Sequence, residues 1–360
     1  MSHDEIPHAI DPPFKWDGGE FAEIWNGPSE LVFHDETQEG IAAVNIRILE
    51  HPTWRFEFVP KTAAPDLARI KRMITDPESV SSVKLKTEGI FGELEVKATE
   101  YHSGRVVGND QVISFSANSL KFAVFNGPQI LGKPVRRAAR HWCGRLEAKL
   151  ENAQIILDES EVIGTSHSSN CKLTHTASVK FESVVDAKEV RKISDTLFWT
   201  LSVMKLGWVG IVGPWHYDID GNLKRIDCFA TKLTRRSGHL GWCHEQMDSS
   251  FAVLFSCLYE AQQDHEKFDS IVTAMHYMIE AEQCSGGIEG AIILQQAALE
   301  CLAWLEIVQK RSICSISGFK DLPAADKIRW LSSLYAIECC FPKKANFLDN
   351  TRRSFHTSRT

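Results

Sequence analysis

The chain has 360 residues, of which 43% are hydrophobic and 24% are charged, and this composition excludes a wholly disordered protein. A chain of this length is long for one hydrophobic core, so two domains are expected. The formal net charge of −7 gives no support for general electrostatic attraction to nucleic acid, although it is compatible with a local basic surface.

Targeting and metal-binding patterns are weak in this sequence. Residues 1–13 carry acids, histidines and prolines without an apolar core, unlike a secretory signal. No apolar run approaches the roughly 18 residues of a membrane span. The ten cysteines form no C-x-x-C pair, so reduced core thiols are expected rather than disulfides or a zinc site. We therefore expect a soluble, cytoplasmic protein with no membrane association, no cofactor and no metal.

Residues 30–182 alternate between apolar and polar side chains with the period of a β-strand. Turn residues such as 108–110 and 126–128 divide the runs, and 66–74 is a candidate helical insertion. Many short strands without long helices between them favour an antiparallel β-sandwich or barrel-like domain. The clearest strand patterns are 44–48, 54–58, 94–98, 113–116, 120–124 and 179–181.

The period becomes helical at Asp186, which has capping-box spacing to Glu189. Residues 209–215 and 224–230 then resemble strands, and the turn 218–222 between them predicts a hairpin that completes the β-rich domain. The apolar residues of the predicted helix follow at steps of three and four: Val190, Ile193, Leu197 and Leu201.

From residue 246 onward, successive amphipathic segments predict a helical bundle. A break at Gly286-Gly287 precedes a helix over 288–310, which would be about 34 Å long. Pro323 can begin the next helix. The stripes predicted to face inward are Ile292, Leu299, Leu302, Leu305 and Val308, followed by Ile328, Leu331, Leu334 and Tyr335.

These patterns predict an α+β fold, with an antiparallel β-sandwich or barrel-like N-terminal domain followed by an α-helical bundle. The β-rich domain is expected over 30–240, with one helix near 186–204, after an N-terminal extension over 1–29. The helical domain is expected over 245–340, and 341–360 has the composition of a disordered tail.

Two kinds of polar cluster are candidates for chemistry. Lys232, Arg235 and Arg236 lie close to Trp242, and such a group can contact phosphate and stack on a base; an ordinary basic surface is the alternative. The stretches 244–248 and 265–269 read H-E-x-x-D and lack the second histidine of a zinc-protease helix. Surface charges, rather than a metal site, are expected there.

The most specific patterns in the chain are 289–304, EGAIILQQAALECLAW, and 318–331, GFKDLPAADKIRWL. Together they resemble bacterial proteins that carry an ApeA-like HEPN domain after a β-rich N-terminal domain. The resemblance covers roughly residues 270–338. It implies a helical bundle, often dimeric, that in active members cuts RNA without a metal ion.

The resemblance also implies an Arg followed by a His after four to six residues, on the last long helix of active members. Histidine can move the proton of the ribose 2′-OH, and arginine can stabilise charge on the phosphate. Here the candidates are Arg352 or Arg353 with His356, at spacings that do not fit, and Glu300 as a further polar site residue. The same spacing at Arg136 and His141 lies in the β-rich region, where a chance match is expected. We therefore expect the final catalytic helix to be missing or replaced, as a truncated reading frame would produce.

Three functions stay open at this point. The first is a non-catalytic interaction or sensing protein, whose β-rich domain binds an unknown ligand and whose helices form a homodimer. The second is a metal-independent ribonuclease of a phage-defence type, with RNA as its substrate. The third is an unrelated small-molecule-binding protein or enzyme with its site in the β-rich domain. Without a terminal helix, the apolar stripes around Leu299 and Leu331 would be exposed to solvent. Each large side chain left exposed would forgo about 1.5–3 kcal/mol of stabilisation.

Overall fold

The computed structural model describes residues 6–16, 18–33, 36–48, 52–61, 82–87, 93–102, 105–110, 117–129, 131–160, 171–234, 247–283 and 286–337. The chain divides into two compact units, Met1–Phe268 and Asp269–Thr360. An antiparallel β-rich region precedes C-terminal helices, so the predicted α+β fold is confirmed. The predicted helix at 66–74, the strand at 113–116 and the tail at 341–360 lie outside the described residues.

Six of the described strands form a closed antiparallel barrel in the order β1-β2-β3-β6-β5-β4. The barrel closes because β1 pairs with both β2 and β4. The alternation predicted at 44–48 and 54–58 is confirmed, since Val44, Ile46, Trp54 and Phe56 are buried. The strands are β1 (Phe21–Phe33), β2 (Glu36–Ile48), β3 (Pro52–Pro60), β4 (Ser82–Thr87), β5 (Glu93–His102) and β6 (Arg105–Asp110).

Two details of the barrel differ from the sequence predictions. β1 begins at Phe21, within the segment 1–29 that was assigned to an extension. Gly27 and Pro28 have little local preference for a strand, but pairing with β2 carries the strand through them. Residues 108–110 were predicted to form a turn, and this was wrong. Gly108 pairs with both Phe56 and Ala98, so neighbours on two sides hold this segment extended.

Seven further strands among the described residues form a second sheet, in the order β13-β12-β7-β11-β10-β9-β8. The predicted hairpin is confirmed by the pairing of β12 with β13, and the Asp218 carboxylate accepts hydrogen bonds from the N–H groups of Asp220 and Asn222 in its turn. The strands are β7 (Ala117–Phe125), β8 (Lys133–Arg137), β9 (Arg140–Lys149), β10 (Ala153–Glu159), β11 (Leu173–Val185), β12 (Gly210–Tyr217) and β13 (Leu223–Ala230).

Helix α1 (Ala187–Lys205) packs on this second sheet. The Asp186 carboxylate accepts a hydrogen bond of 2.9 Å from the N–H of Glu189, as the capping spacing predicted. Helix α2 (Met247–Ala261) packs against α1 and β9, and its contacts group it with the first unit. The sequence assigned these residues to a helical domain starting at 245. All four apolar residues predicted to anchor α1 are buried: Val190, Ile193, Leu197 and Leu201.

Polar side-chain contacts hold helix α2 against helix α1. The Tyr259 hydroxyl donates a short hydrogen bond to the Glu189 carboxylate, and Gln262 Nε2 donates to the main-chain oxygen of Lys192 at 3.1 Å. The Lys192 ammonium lies 3.5 Å from the centre of the Tyr259 ring. Burial, together with the bond to Glu189, raises the pKa of the Tyr259 phenol. The phenol therefore stays a donor at any pH at which the protein is handled.

Replacing Tyr259 with phenylalanine should lower the free energy of unfolding by about 1.5–3 kcal/mol, because Glu189 loses its phenolic donor while the ring packing is kept. Urea denaturation followed by tryptophan fluorescence measures this loss. Tyr217→Phe is the matched control, since the Tyr217 hydroxyl makes no hydrogen bond to another described residue and its ring is retained beside Lys121. Equal losses in the two variants would show that the bond to Glu189 contributes nothing.

The second unit is helical over its described residues. Its helices are α3 (His265–Glu282), within which the unit boundary falls, α4 (Gly287–Trp304), α5 (Ile316–Asp321) and α6 (Ala324–Leu334). The predicted break at Gly286-Gly287 is confirmed, and both residues have positive φ angles of 81° and 78°. A small core joins α4, α5 and α6; its buried members are Ala303, Ile307, Phe319 and Leu331.

Three predictions about the helical unit were wrong in detail. Ile292 was predicted to face inward, but it is 59% exposed. The helix predicted over 288–310 is α-helical only to Trp304 and continues as a π-helical segment, Leu305–Lys310. Tyr335 was predicted to face inward, but it lies just after the last turn of α6 and is 49% exposed. The expectation of core thiols also holds only in part. All six described cysteines are free, yet Cys143 and Cys257 are exposed, while Cys171 and Cys228 are buried.

Candidate functional site

A groove of about 400 Å³ in the second unit includes Glu300, the polar residue singled out in the sequence. Helix α3 supplies one wall of the groove and helix α4 supplies the other. The indole of Trp304 lines the groove and packs edge to face on Phe319, at 5.3 Å between ring centres. The lining residues are Asp269, Ser270, Thr273, Glu300, Cys301 and Trp304.

Glu300 is held by two donors. Gln296 Nε2 donates to Oε1 at 2.9 Å, and Lys327 Nζ donates to Oε2 at 3.0 Å. The hydrogen bond from Gln296, and then the one from Lys327, lowers the pKa of Glu300. The Lys327 ammonium also lies 4.9 Å from the ring centre of Phe319. Glu300 is therefore an ionised residue that ties α4 to α6, and it is poorly suited to donate a proton near neutral pH.

A second carboxylate, Glu306, lies buried on the π-helical segment. Lys310 Nζ donates to it at 2.8 Å and Arg311 Nε donates at 3.3 Å. Burial alone would raise the pKa of Glu306, but hydrogen bonds from Lys310, Tyr335 and Arg311 together lower it. Sequence reasoning missed this cluster. Its signal was a Glu within an apolar run, followed by Lys and Arg at four and five residues.

The residues predicted for RNA cleavage are not brought together in the described part of the chain. Arg352 and His356 lie outside the described residues, and so do Arg235 and Arg236 of the basic cluster. Lys232 is exposed, and its ammonium lies 4.9 Å from the ring centre of Trp208.

Trp242, which is close to this basic cluster in the sequence, also lies outside the described residues, and nucleic-acid contact here stays a prediction. The ring beside Lys232 is that of Trp208. Phe198 stacks on Trp208 at 5.9 Å between ring centres, and Trp199 meets Trp208 edge to face at 5.7 Å. These three rings pack together at the end of helix α1 and the start of β12.

The first unit contains a buried histidine–aspartate pair that sequence reasoning also missed. His216 Nε2 and Asp227 Oδ2 are 2.9 Å apart, and Arg225 Nε lies 3.4 Å from the other carboxylate oxygen. A carboxylate that orients an imidazole is one part of a catalytic triad. Nδ1 of His216, however, makes no hydrogen bond to a described residue, so no described nucleophile completes such a triad. The signal was a pair of polar residues at inward-facing positions of the predicted hairpin.

The barrel carries a cleft of about 420 Å³ that crosses β4, β1 and β2 and is bordered by Lys61, just after β3. Glu30 of β1 faces Lys86 of β4 on one side and Glu39 of β2 on the other. Lys61 Nζ lies 3.0 Å from the Glu39 carboxylate. The side chains of Ser29 and Thr87 are buried beside this charged row. The cleft can therefore offer a small polar ligand both charges and hydroxyl groups.

An exposed apolar surface of the second unit lies on α4. Ile288, Ile292 and Ile293 are 73%, 59% and 66% exposed, and Leu299 is 37% exposed. Ile288, Ile292 and Leu299 follow one side of the helix, since they are spaced by four and then seven residues. This exposure is the kind that marks a binding surface on a folded protein.

The segment Gly287–Lys310 also meets the length and composition of a membrane-spanning helix, with a mean hydropathy of 1.5. About a third of its most apolar window is buried against the rest of the protein. Core helices of soluble proteins meet the same criterion. Among the described residues, no group of three or more His, Cys, Asp or Glu side chains is arranged to hold a metal ion.

Comparison with known proteins relates both units to one prophage protein. Residues 114–226 match the YopA central domain, and residues 264–358 match the YopA C-terminal domain. A 242-residue stretch is 26% identical to the SPbeta prophage-derived uncharacterized protein YopA of Bacillus subtilis (strain 168). The match covers 63% of this chain and 53% of YopA, so the chain spans about half the length of that relative. No solved structure matches. The chain is therefore similar to an uncharacterised, phage-related protein, and the HEPN resemblance stays a prediction.

Proposed function

We propose that this chain is a non-catalytic interaction or sensing protein with a HEPN-like helical unit that pairs with a second copy of itself. The observation that carries the proposal is the exposed apolar side of α4, formed by Ile288, Ile292 and Leu299 together with the neighbouring Ile293. Burying one large apolar side chain contributes about 1.5–3 kcal/mol. Four such side chains can therefore supply the apolar centre of a protein–protein interface.

The charges on α4 favour a second copy as the partner. Glu289 and Glu300 are the charged residues of this helix, and Glu300 is already paired with Lys327. Two copies of the surface can therefore face each other with little repulsion between like charges. Gly290, Ala291 and Ala297 have small side chains that allow another helix to approach closely.

Ile292→Glu tests the proposal. We expect wild-type protein to elute as a dimer in size-exclusion chromatography with light scattering, and the variant to elute as a monomer at the same concentration. The introduced carboxylate would be buried against its counterpart across a two-fold interface, which costs several kcal/mol. Ile316→Glu is the matched control, because Ile316 is similarly exposed, at 57%, but belongs to a different helix, α5.

Each part of the proposal can be contradicted separately. A monomeric wild type, or a dimer that survives Ile292→Glu, rules out pairing through α4. Binding of the wild type to lipid vesicles, lost in Ile292→Glu, would assign the same surface to a membrane. Cleavage of RNA in EDTA that is abolished by His356→Ala would contradict the non-catalytic part.

The barrel cleft favours a second candidate function, the binding of a small polar ligand. Its distinguishing feature is the row of Lys86, Glu30 and Glu39 across three paired strands, continued by Lys61 just after β3, beside the buried side chain of Thr87. A ligand bound there would raise the melting temperature of the wild type by mass action. The same ligand should have little effect on Thr87→Val, and an equal effect on both proteins would place its site elsewhere.

A further inference from the structure

The N-terminal segment 7–11 lies along β8, the edge strand of the seven-stranded sheet. It runs parallel to β8, with His8 opposite Arg136. The N–H of Arg136 donates to the carbonyl of Pro7 at 3.0 Å, and the N–H of Ala9 donates to the carbonyl of Arg136 at 2.8 Å. The segment thus covers main-chain groups that would otherwise lie free on the sheet edge.

A buried ion pair holds the same segment from the neighbouring strands. Arg145 of β9 and Asp158 of β10 form two parallel hydrogen bonds of 2.7 and 2.8 Å, and both side chains are nearly inaccessible to solvent. Arg145 Nη2 also donates to the carbonyl of His8 at 2.8 Å. The Asp158 carboxylate accepts from the N–H of Ile10 at 2.7 Å.

The hydrogen bonds to the segment are made to its main chain. Besides the bonds already described, Arg137 Nη2 donates to the carbonyl of Ile10 at 2.9 Å. Arg137 also lies 3.6 Å from the exposed carboxylate of Asp11. The side chains of Pro7 and His8 are exposed. The site binds the carbonyl of His8 and the N–H of Ile10. Because both are main-chain groups, binding depends little on which side chains the segment carries.

We propose that the β8 edge, with the Arg145–Asp158 pair, is a docking site for an extended peptide segment of another chain, and that residues 7–11 fill this site in cis. The partner adds a parallel strand to the sheet and presents its carbonyl to Arg145 and its N–H to Asp158. Such strand addition is a general mode of peptide recognition. The buried pair distinguishes this edge from an ordinary one, because it supplies a charged donor and a charged acceptor at a fixed separation.

Release of the segment does not require the core to open. Phe14, three residues beyond Asp11, packs on Phe125 at 6.5 Å and on Trp215 at 5.6 Å between ring centres. This anchor keeps residues 7–11 close to the edge, at an effective concentration of roughly millimolar. A peptide at micromolar concentration therefore competes poorly with the cis segment unless that segment is weakened.

Ile10→Pro in the full chain selectively weakens binding of the cis segment, because it removes the N–H that donates to the Asp158 carboxylate. His8→Pro is the matched control, since no described hydrogen bond uses the N–H of His8. The probe is a fluorescein-labelled synthetic peptide of residues 6–13, and binding is measured by fluorescence anisotropy. We expect the apparent Kd to be lower by about tenfold or more for Ile10→Pro than for wild type or His8→Pro, since the fraction of open sites sets the apparent affinity. A peptide that carries the same Ile10→Pro change should not bind.

Equal binding to all three proteins would overturn the proposal, and so would the absence of binding to an Ile10→Pro variant with the circular dichroism spectrum of the wild type. If that variant does not fold, hydrogen exchange of the wild type decides. Millimolar unlabelled peptide should speed exchange at the amides of Ala9 and Ile10 severalfold, and unchanged exchange there would equally overturn the proposal.

Discussion

Replacing Arg145 with methionine should lower the free energy of unfolding of the first unit by about 3–5 kcal/mol, which is the cost of leaving a buried charge without its partner. Asp158 is 1% exposed and would retain only the N–H of Ile10 as a described donor. The hydrogen bond to Asp158 raises the pKa of Arg145, so its guanidinium carries its charge at all ordinary pH values. Urea denaturation followed by tryptophan fluorescence and circular dichroism measures the loss.

Two controls separate charge from packing. The double variant Arg145→Met, Asp158→Leu should recover part of the loss, because no buried charge is left unpaired. The carbonyl of His8 and the N–H of Ile10 still lose their side-chain partners. Lys133→Met removes an ion pair to Glu147 on the neighbouring strands, where both side chains are much more exposed. Such a pair contributes about 0–1 kcal/mol. If Lys133→Met and Arg145→Met cost the same, burial does not determine the effect.

Acidification from pH 7 to pH 5 should lower the free energy of unfolding by about 2 kcal/mol through His175 alone. Burial lowers the pKa of His175 from the ordinary value of 6.5 to about 3, with a further contribution from the charge of Lys205 and an opposing one from the carbonyl of Pro128. Between these two values the unfolded chain binds a proton and the folded chain does not. The contribution of His175 to the free energy of unfolding is therefore fully present above about pH 6.5. As the pH decreases, it falls by about 1.4 kcal/mol per pH unit until the pKa of the folded state is reached.

Denaturation curves at pH 7 and pH 5 check this expectation. His175→Gln should remove this part of the pH dependence, whereas His141→Gln, which changes an exposed histidine on β9, should leave it intact. If His175→Gln does not fold, the C2-proton resonance of His175 in the wild type gives the same information by NMR. A His175 resonance that titrates above pH 5 would contradict the prediction.

The parts of the fold that could be predicted are those set by local pattern. Strand alternation at 54–58 depends on which face is buried, and the Asp186 cap depends on residues three apart, so both were readable in the sequence. The extension of β1 through Gly27 and Pro28 was not readable, because pairing with β2 overrides the local preference for a turn. Pairing with the neighbouring strands β3 and β5 likewise places Gly108 within β6.

Candidate sites were harder to predict because they depend on register and on helix geometry. Arg145 and Asp158 are opposite one another only in the particular pairing of β9 with β10. His216 and Asp227 likewise meet through the β12–β13 register. In the helical unit, Arg311 and Glu306 are five residues apart, and an α-helix of 3.6 residues per turn would place them on different faces. The π-helical segment changes the angle between successive residues and brings the two side chains together.

The closed barrel has a consequence for aggregation. Each of its six strands pairs with two neighbours, so none of these strands is an edge strand, although β1 and β4 share only four residue pairs. Another molecule can therefore extend this barrel into a fibril only after one of the existing strand pairs has separated. We expect the barrel to resist cross-β assembly under conditions in which proteins with long open sheets precipitate.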